Sequence, residues 1–394
     1  MRRLLGLPLA IGLPVALLAG FFFGVPVWVD GDMNRVDTGA RITVTERAQQ
    51  LHATLTVVDL HNDVLLWDRG LTGPQRRGHT DITRLARGNV ALEVFSTVTK
   101  TPKNQNYDRN SAATDNITLL AMAERWPSRT YGSLLERALW QATKLQREET
   151  VSEGHLILVR TAADLRNALE RRAERKGDPL ERPVIGLLNT EGMHAIEGKL
   201  ANVDTLFAHG FRMAGLAHFF DNEVAGSAHG EAKGGLTPLG QDVMRHMQEL
   251  GMIVDLAHAS PTAFDEALAA AIKPVVVSHV GVRETCAGPR NLTDDQLRAL
   301  AANGALIGIG FWDGAICSDS PRAVAKAMRH AVSIAGLSHV AIGSDWDGAT
   351  SVAITGDTVA QLTQALLDAG FTEAEIRAVM GENAIRFLLA NLPD

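Results

Sequence analysis

Apolar and polar positions along this chain follow two alternating patterns. One is a short β-branched or aliphatic run closed by His, Glu or Asp. The other is apolar spacing at i, i+3 and i+4, the signature of an amphipathic helix. The first run, Thr56-Val57-Val58-Asp59-Leu60, ends in His61-Asn62-Asp63. Residues two apart on a strand share a face, so His61 and Asp63 should point the same way from its end. The second run is Val90–Phe95, and the third, Val184–Asn189, is followed by Glu191-Gly192. Met213–Ala217 ends at His218, Met252–Ala257 at His258 and Val275–Ser278 at His279. Ala305–Gly310 is the seventh run, and Val340–Ser344, the eighth, ends at Asp345.

Helical spacing fills the intervals over Asn202–His209, Pro238–Leu250, Pro261–Ala271, Thr293–Asn303 and Pro321–Ala335. Two more helices, Thr358–Ala369 and Thr372–Leu389, follow the last strand. Eight buried-type strands alternating with helices predict an α/β fold, a parallel (β/α)8 TIM barrel. A doubly wound open sheet is the alternative. No Gly-x-Gly-x-x-Gly follows the first strand, so a dinucleotide-binding domain has no support. Between the second and third strands, about residues 100–182, the pattern is helical and highly charged. It reads as an insertion with a solvated face carrying i, i+4 charge pairs. His79 and His155 read as a solvated loop residue and a residue of no assigned role.

The N-terminus differs from the rest. Arg2 and Arg3 precede an uncharged, mostly apolar run from Leu4 to Val29, ended by Asp30. That is long enough for the roughly 20 residues of a membrane-spanning helix. The expectation is an uncleaved signal anchor over residues 1–30, with the two arginines inside. The catalytic part would then lie on the extracytoplasmic, periplasmic side. Cleavage near Ala16–Gly20 is the other possibility. Residues 31–55 would form a connector with a lead-in helix over Val44–Ala53, and 56–394 the barrel. Ala390–Asp394 carry no hydrophobic tail of the kind a C-terminal lipid-anchor signal requires.

Composition narrows the function. The 394 residues carry a formal net charge of −7 without a concentrated basic stripe, which argues against a nucleic-acid partner. Two cysteines without a Cys-x-x-Cys pair exclude a zinc finger. Outside the cytosol Cys286 and Cys317 can pair, closing a loop of about 30 residues worth roughly 3–4 kcal/mol, or they remain buried thiols. The predicted compartment favours the bridge.

In a (β/α)8 barrel all strand C-termini meet at one face, where active sites lie. His61, Asp63, Glu191, His218, His258, His279 and Asp345 would converge there. One strand end of this kind is unremarkable, since a rim His or an N-cap Glu serves stability. Seven together are more than a barrel needs. Imidazole and carboxylate donors suit zinc, manganese or a related ion, and there are too many for one four-coordinate site. Two metals sharing one carboxylate would use the set. They would generate hydroxide from a bridging water and polarise a carbonyl, which is amide or ester hydrolysis.

With these residues in place the sequence resembles the membrane dipeptidase (renal dipeptidase) family of zinc peptidases, from about Val57 to Leu389. The motifs carrying the resemblance are Asp59-Leu60-His61-Asn62-Asp63, Glu191-Gly192, Gly235-Leu236-Thr237-Pro238-Leu239-Gly240 and Asp255-Leu256-Ala257-His258-Ala259-Ser260. To these add Val277-Ser278-His279, Arg290-Asn291-Leu292 and Gly343-Ser344-Asp345-Trp346-Asp347-Gly348. The resemblance implies a dipeptidase with two zinc ions per subunit, tolerance of L-D dipeptides, and a homodimer as the usual assembly. It implies that His61 and Asp63 hold one zinc, His258 and His279 the other, and that Glu191 bridges them. His218 would stabilise the oxyanion and Arg290 would pair with the substrate carboxylate. Asp345 would handle the amino end and the proton passed to the leaving nitrogen. It also implies a Cys286–Cys317 disulfide. A related amidohydrolase acting on N-acyl amino acids, lactones or β-lactams is the alternative, and Arg290 has no use in a lactonase. A tethered peptide-binding protein without chemistry is disfavoured by the intact ligand set. Gly288-Pro289 before Arg290, where the family often has a basic residue, and Phe219–Gly230 depart from mammalian members, so substrate preference carries over less firmly than the metal ligands.

Overall fold

The computed structural model describes residues 17–175 and 177–394. Eight strands close into one parallel barrel: β1 Val57–Asn62, β2 Val90–Phe95, β3 Val184–Thr190, β4 Phe211–Gly215, β5 Ile253–Asp255, β6 Val276–Val280, β7 Leu306–Ile309 and β8 Val340–Ile342. Each pairs in parallel with the next, and β8 returns to β1, so the sheet has no open seam. Closure excludes the open doubly wound sheet. A short strand, Leu156–Leu158, adds to β3 from the excursion that the sequence pattern predicts as helical throughout. That excursion contains the helices Ile117–Ala123, Leu134–Val151 and Ala162–Glu174.

The strands read as continuous apolar runs because both faces are buried. Leu92, Val94, Ile185, Leu187, Met213 and Ile253 belong to an inner core drawing on every strand, with Phe387 and Leu388 of the last helix packed against it. Val90, Phe95, Val184, Val254, Val277 and Ile307 belong to the outer core beneath the surrounding helices. Those helices start where the sequence supplies caps. Thr237, Ser260, Thr293 and Ser320 each accept a backbone N–H with the side-chain oxygen, and three of the four precede a proline at the first turn.

Two departures from regular pairing aim the chemistry. Register slips between Asp59 and Asn62 in β1 and between Val277 and Val280 in β6. An extra residue in one strand turns the following side chains to the other face. Asp59 and His61, and Ser278 and His279, therefore need not obey simple alternation. Gly343 permits a further close approach, since a Cβ there would lie 1.8 Å from the Ser278 carbonyl oxygen.

The N-terminal expectation is corrected at its inner end. Residues 1–16 of the expected anchor lie outside the described residues. Among the described residues no helix is long and apolar enough to cross a membrane. Gly20–Gly24 is a π-helical turn that leads into the helix Val25–Met33. The expected boundary at Asp30 falls inside that helix. Asp30 is 1% exposed, with Arg69 Nε at 3.2 Å and Arg77 Nε at 3.1 Å. A buried carboxylate needs such partners, so this turn belongs to the folded domain and not to lipid. The segment that follows is stitched down too, since Arg35–Val36 pairs in parallel with Ser351–Val352. The lead-in helix is Glu46–His52, capped by Thr45.

Candidate active site

Seven of the eight proposed metal and substrate residues end barrel strands or follow them directly; Arg290 lies further on, in the loop after β6. Glu191, just past β3, is the hub. Its Oε1 lies 2.9 Å from His258 Nε2, 3.4 Å from His279 Nε2 and 3.6 Å from His61 Nε2. Its Oε2 lies 3.1 Å from His218 Nε2. Asp63 Oδ1 is 3.4 Å from His61 Nε2. Three buried groups of donor atoms result: His61, Asp63 and Glu191; Glu191, His258 and His279; and His61, His279 and Asp345. The first two share only Glu191, which is the partition expected from the sequence. The third brings Asp345 next to the ligands from the β8 side.

These side chains suit metal ions better than each other. His61 Nε2 and Asp63 Oδ1 are buried without a hydrogen-bond partner. His258 Nε2 and His279 Nε2 approach to 3.0 Å, and both also crowd the same carboxylate oxygen. Buried polar atoms are normally paired, so convergent unpaired donors mark the place of a cation. The residues present therefore fit divalent metal ions.

A set of polar groups behind the cluster fixes the rings. Ser278 Oγ donates to Asp255 Oδ2 at 2.5 Å. Its single proton spent there, the hydroxyl accepts from His279 Nδ1 at 2.9 Å. That places the imidazole proton on Nδ1 and leaves Nε2 free to ligate. Asp255 Oδ1 in turn accepts the backbone N–H groups of Ala257 and Ser278. On the β1 side, Asp59 accepts from Ser344 N at 2.7 Å and Ser344 Oγ at 2.6 Å, tying β1 to β8. His258 and Asp345 have left-handed backbones, with φ of 62° and 61°. Non-glycine residues held there carry strain of order 1–3 kcal/mol, which clusters at functional sites. Gly192 also needs its glycine: φ is 95°, and a Cβ would lie 2.4 Å from the His194 ring.

The site is electrically lopsided. Burial disfavours a charge on His61, yet Asp63, Glu191 and Asp345 outweigh it and lift the imidazole to about 10. On the other side burial holds His258 and His279 well below the usual histidine range, reinforced by the Arg290 cation at His258 and by His61 and then Arg290 at His279. Burial, with neighbouring His194, does the same to His218. Burial, assisted by Asp63, raises Asp345 to about 8 against the pull of His61 and Arg290.

Arg290 is buried beside the cluster. Its Nη1 lies 3.1 Å from His258 Nε2 and its Nη2 donates to the His279 carbonyl at 2.6 Å, while Nε has no partner. Its guanidinium carbon sits 5.2 Å from the centre of the Trp312 ring. The loop is secured at both ends. Asn291 donates to the Cys286 carbonyl and accepts from Gly281 N, and Cys286 is disulfide-bonded to Cys317. The bridge ties the loop after β6 to the one after β7, across a Cα–Cα distance of 5.3 Å.

Sequence reasoning missed several neighbours. Tyr107, from the helical excursion, accepts from Trp312 Nε1 at 2.8 Å through its hydroxyl. His229 stacks on Phe219 with ring centroids 4.5 Å apart, and its Nδ1 lies 2.7 Å from the Tyr107 carbonyl oxygen. No local signal identifies the Tyr107 contacts, since both join residues more than a hundred positions apart. His79, read as a solvated loop residue, is fully buried. Its Nδ1 accepts from Asp347 N at 2.9 Å and its Nε2 donates to the Arg35 carbonyl at 2.9 Å, so it is a neutral structural imidazole. A cavity of about 550 Å3 opens onto Asp63, Glu191 and His218.

Comparison with known proteins places this geometry. Residues 45–391 match the membrane dipeptidase family (peptidase family M19). A dipeptidase of Clonostachys rogersoniana is 28% identical over 358 residues, covering 87% of this chain and 86% of that one. A protein described as an uncharacterized dipeptidase of Schizosaccharomyces pombe is 26% identical over 359 residues, covering 86% and 82%. Among solved structures, a metallopeptidase of Rhodobacter sphaeroides, liganded with a phosphinate mimic of the dipeptide L-Ala-D-Ala, superposes with a TM-score of 0.69. It is 23% identical, over 86% of this chain and 99% of that one. A probable dipeptidase of Pseudomonas aeruginosa gives 0.71 at 16% identity, over 88% and 98%. With a family match spanning the whole barrel and its ligand-bearing strand ends, this chain belongs to the membrane dipeptidase family and is a metallo-dipeptidase.

Proposed function

We propose that the site cleaves the peptide bond of dipeptides with two zinc ions, His61 and Asp63 holding one, His258 and His279 the other, and Glu191 shared between them. The observation that carries this reading is the Glu191 carboxylate, whose Oε1 lies within 2.9–3.6 Å of imidazole nitrogens from three different strands. When bound, such a pair supplies an activated water and a Lewis acid for the carbonyl.

The chain's own residues then handle a zwitterion. Arg290, buried beside His258, presents a planar fork to the substrate's terminal carboxylate. Asp345, beside His61, receives the ammonium end. Burial, which raises this carboxyl, also suits it to carry a proton and pass it to the leaving nitrogen. His218, 3.1 Å from Glu191 Oε2, stands where a ring N–H would meet the developing oxyanion. Acceptance of a D-residue at the carboxyl end is supported by the L-Ala-D-Ala mimic carried by the Rhodobacter sphaeroides metallopeptidase.

The same reading places the enzyme at a membrane surface, anchored through its N-terminal residues with the barrel on the extracytoplasmic side. Leu17, Leu18, Phe23 and Trp28, exposed along the N-terminal segment, support this, as does the disulfide.

The test is hydrolysis of L-L and L-D dipeptides by metal-stripped protein, before and after zinc is restored. Zinc-dependent release of amino acids, abolished in His258→Ala, is expected. Stoichiometric zinc binding with no dipeptide cleaved would overturn the substrate class.

A further inference from the structure

The family match begins at residue 45, yet part of the active-site cavity is built from residues in front of it. Val29 and Met33, on the helix Val25–Met33, line the same cavity of about 550 Å3 whose floor includes Asp63, Glu191 and His218. Much of that wall is apolar: Leu66, Trp67, Val98 and Ile117 form one buried cluster, and Val29 packs against it, while Thr101, Asn104, Gln105 and Asn116 give the cavity a polar side.

The helix is held in place by contacts at its end. Asp30 faces Arg69 and Arg77, and Asn34 donates to Asp30 Oδ1 at 2.9 Å. Asn34 Oδ1 also accepts from Ala349 N at 3.0 Å. Arg69 continues to Asp347 at 2.5 Å, two residues from Asp345. The helix is thus joined to the loop that carries Asp345.

The cavity lies to one side of the metal cluster. Arg290 and His258 line a separate recess of only about 20 Å3. With the substrate carboxylate at Arg290, the large space falls to the amino-terminal residue. We infer that the N-terminal helix completes an apolar subsite for the side chain of the substrate's amino-terminal residue, so that the enzyme favours dipeptides beginning with a bulky apolar residue. This rests on the dipeptidase reading above and on the placement of the carboxylate at Arg290. A space of this size accepts a Leu or Phe side chain with room to spare.

Met33 is the residue to vary, because it is 47% exposed and its replacement does not disturb a packed core. The substrates are Phe-Ala, Ala-Ala and Ala-Phe, with zinc-loaded protein and kcat/KM as the readout. Wild type should prefer Phe-Ala to Ala-Ala. Met33→Trp fills the space and should lower kcat/KM for Phe-Ala about tenfold or more, within the range one apolar pocket discriminates. Ala-Ala and Ala-Phe should stay within about twofold in that variant, because their amino-terminal methyl does not reach the wall. Met33→Ala removes contact and should lower Phe-Ala severalfold. If all three substrates fall together, or none responds, the inference is overturned.

Should wild type cleave none of the three, the dipeptidase reading is what has failed. The subsite is then read by calorimetric titration with leucinamide and alaninamide. Tighter binding of leucinamide to wild type, lost in Met33→Trp, supports the subsite, and equal binding of the two contradicts it.

Discussion

The two halves of the metal cluster are built from opposite electrostatics. The β1 and β8 half gathers Asp63 and Asp345 around His61, and against burial Asp63, Glu191 and Asp345 together lift that imidazole to about 10. The β5 and β6 half gathers His258 and His279 under Arg290, where burial, helped by the guanidinium and at His279 first by His61, keeps both rings neutral. Glu191 stands between them and touches both. One half therefore gathers carboxyl groups around an imidazole, and the other offers neutral nitrogen donors beside a fixed cation. A zwitterionic dipeptide has the complementary polarity, ammonium toward the acids and carboxylate toward Arg290. The contrast teaches that the same residues set metal affinity and substrate orientation.

The comparison breaks most completely at its shared member. Glu191→Gln should reduce kcat by about a thousandfold or more, as for a residue working within a unit, and should lower metal content on both sides. Arg290→Lys leaves the charge but loses the fork. A truncated or mismatched buried charge contact costs about 2–5 kcal/mol, so KM for dipeptides should rise by roughly thirtyfold or more while metal content is unchanged. Steady-state kinetics beside metal analysis separates the two effects.

Ser278→Ala sharpens the comparison from behind the ligands. It removes the hydroxyl that accepts from His279 Nδ1, so zinc affinity should fall about 10- to 100-fold, read by competition with a chelating dye. Asp63→Asn, on the other half, should leave the His258 and His279 side loaded.

The smallest effect concerns stability and pH. Burial would raise the Asp347 carboxyl, but Arg69, His79 and Thr80 outweigh it and hold it below the ordinary range. A folded pKa below the unfolded value of about 3.9 stabilises the fold above that pH, and the benefit is lost as pH falls through the folded pKa. Denaturant titrations should show Asp347→Asn less stable than wild type at neutral pH, with the difference shrinking below about pH 4.

Much of this site was legible in the sequence because a parallel barrel converts one-dimensional pattern into convergence. His61, Asp63, Glu191, His218, His258, His279 and Asp345 each closed an apolar run, and strand ends of a closed barrel share one rim. The side-chain directions were less legible. Bulges in β1 and β6 aim His61 and His279, and a bulge depends on what the neighbouring strand presents. The supports were hidden for a similar reason. Asp255 and Ser278 looked like ordinary strand residues until pairing of β5 with β6 brought them together. The N-terminal helix was misjudged at Asp30 because apolar composition does not distinguish a face that meets lipid from one that meets protein. Only Arg69 and Arg77, some forty residues on, reveal that this carboxylate is inside the fold.

The most direct measurement is zinc bound per chain, by elemental analysis after dialysis, in wild type, Asp63→Ala and His258→Ala, with dipeptide hydrolysis assayed on the same samples. The account predicts two zinc ions in wild type, one in each variant, and hydrolysis only by wild type. A single zinc in fully active wild type, or hydrolysis untouched by loss of either half, would contradict it.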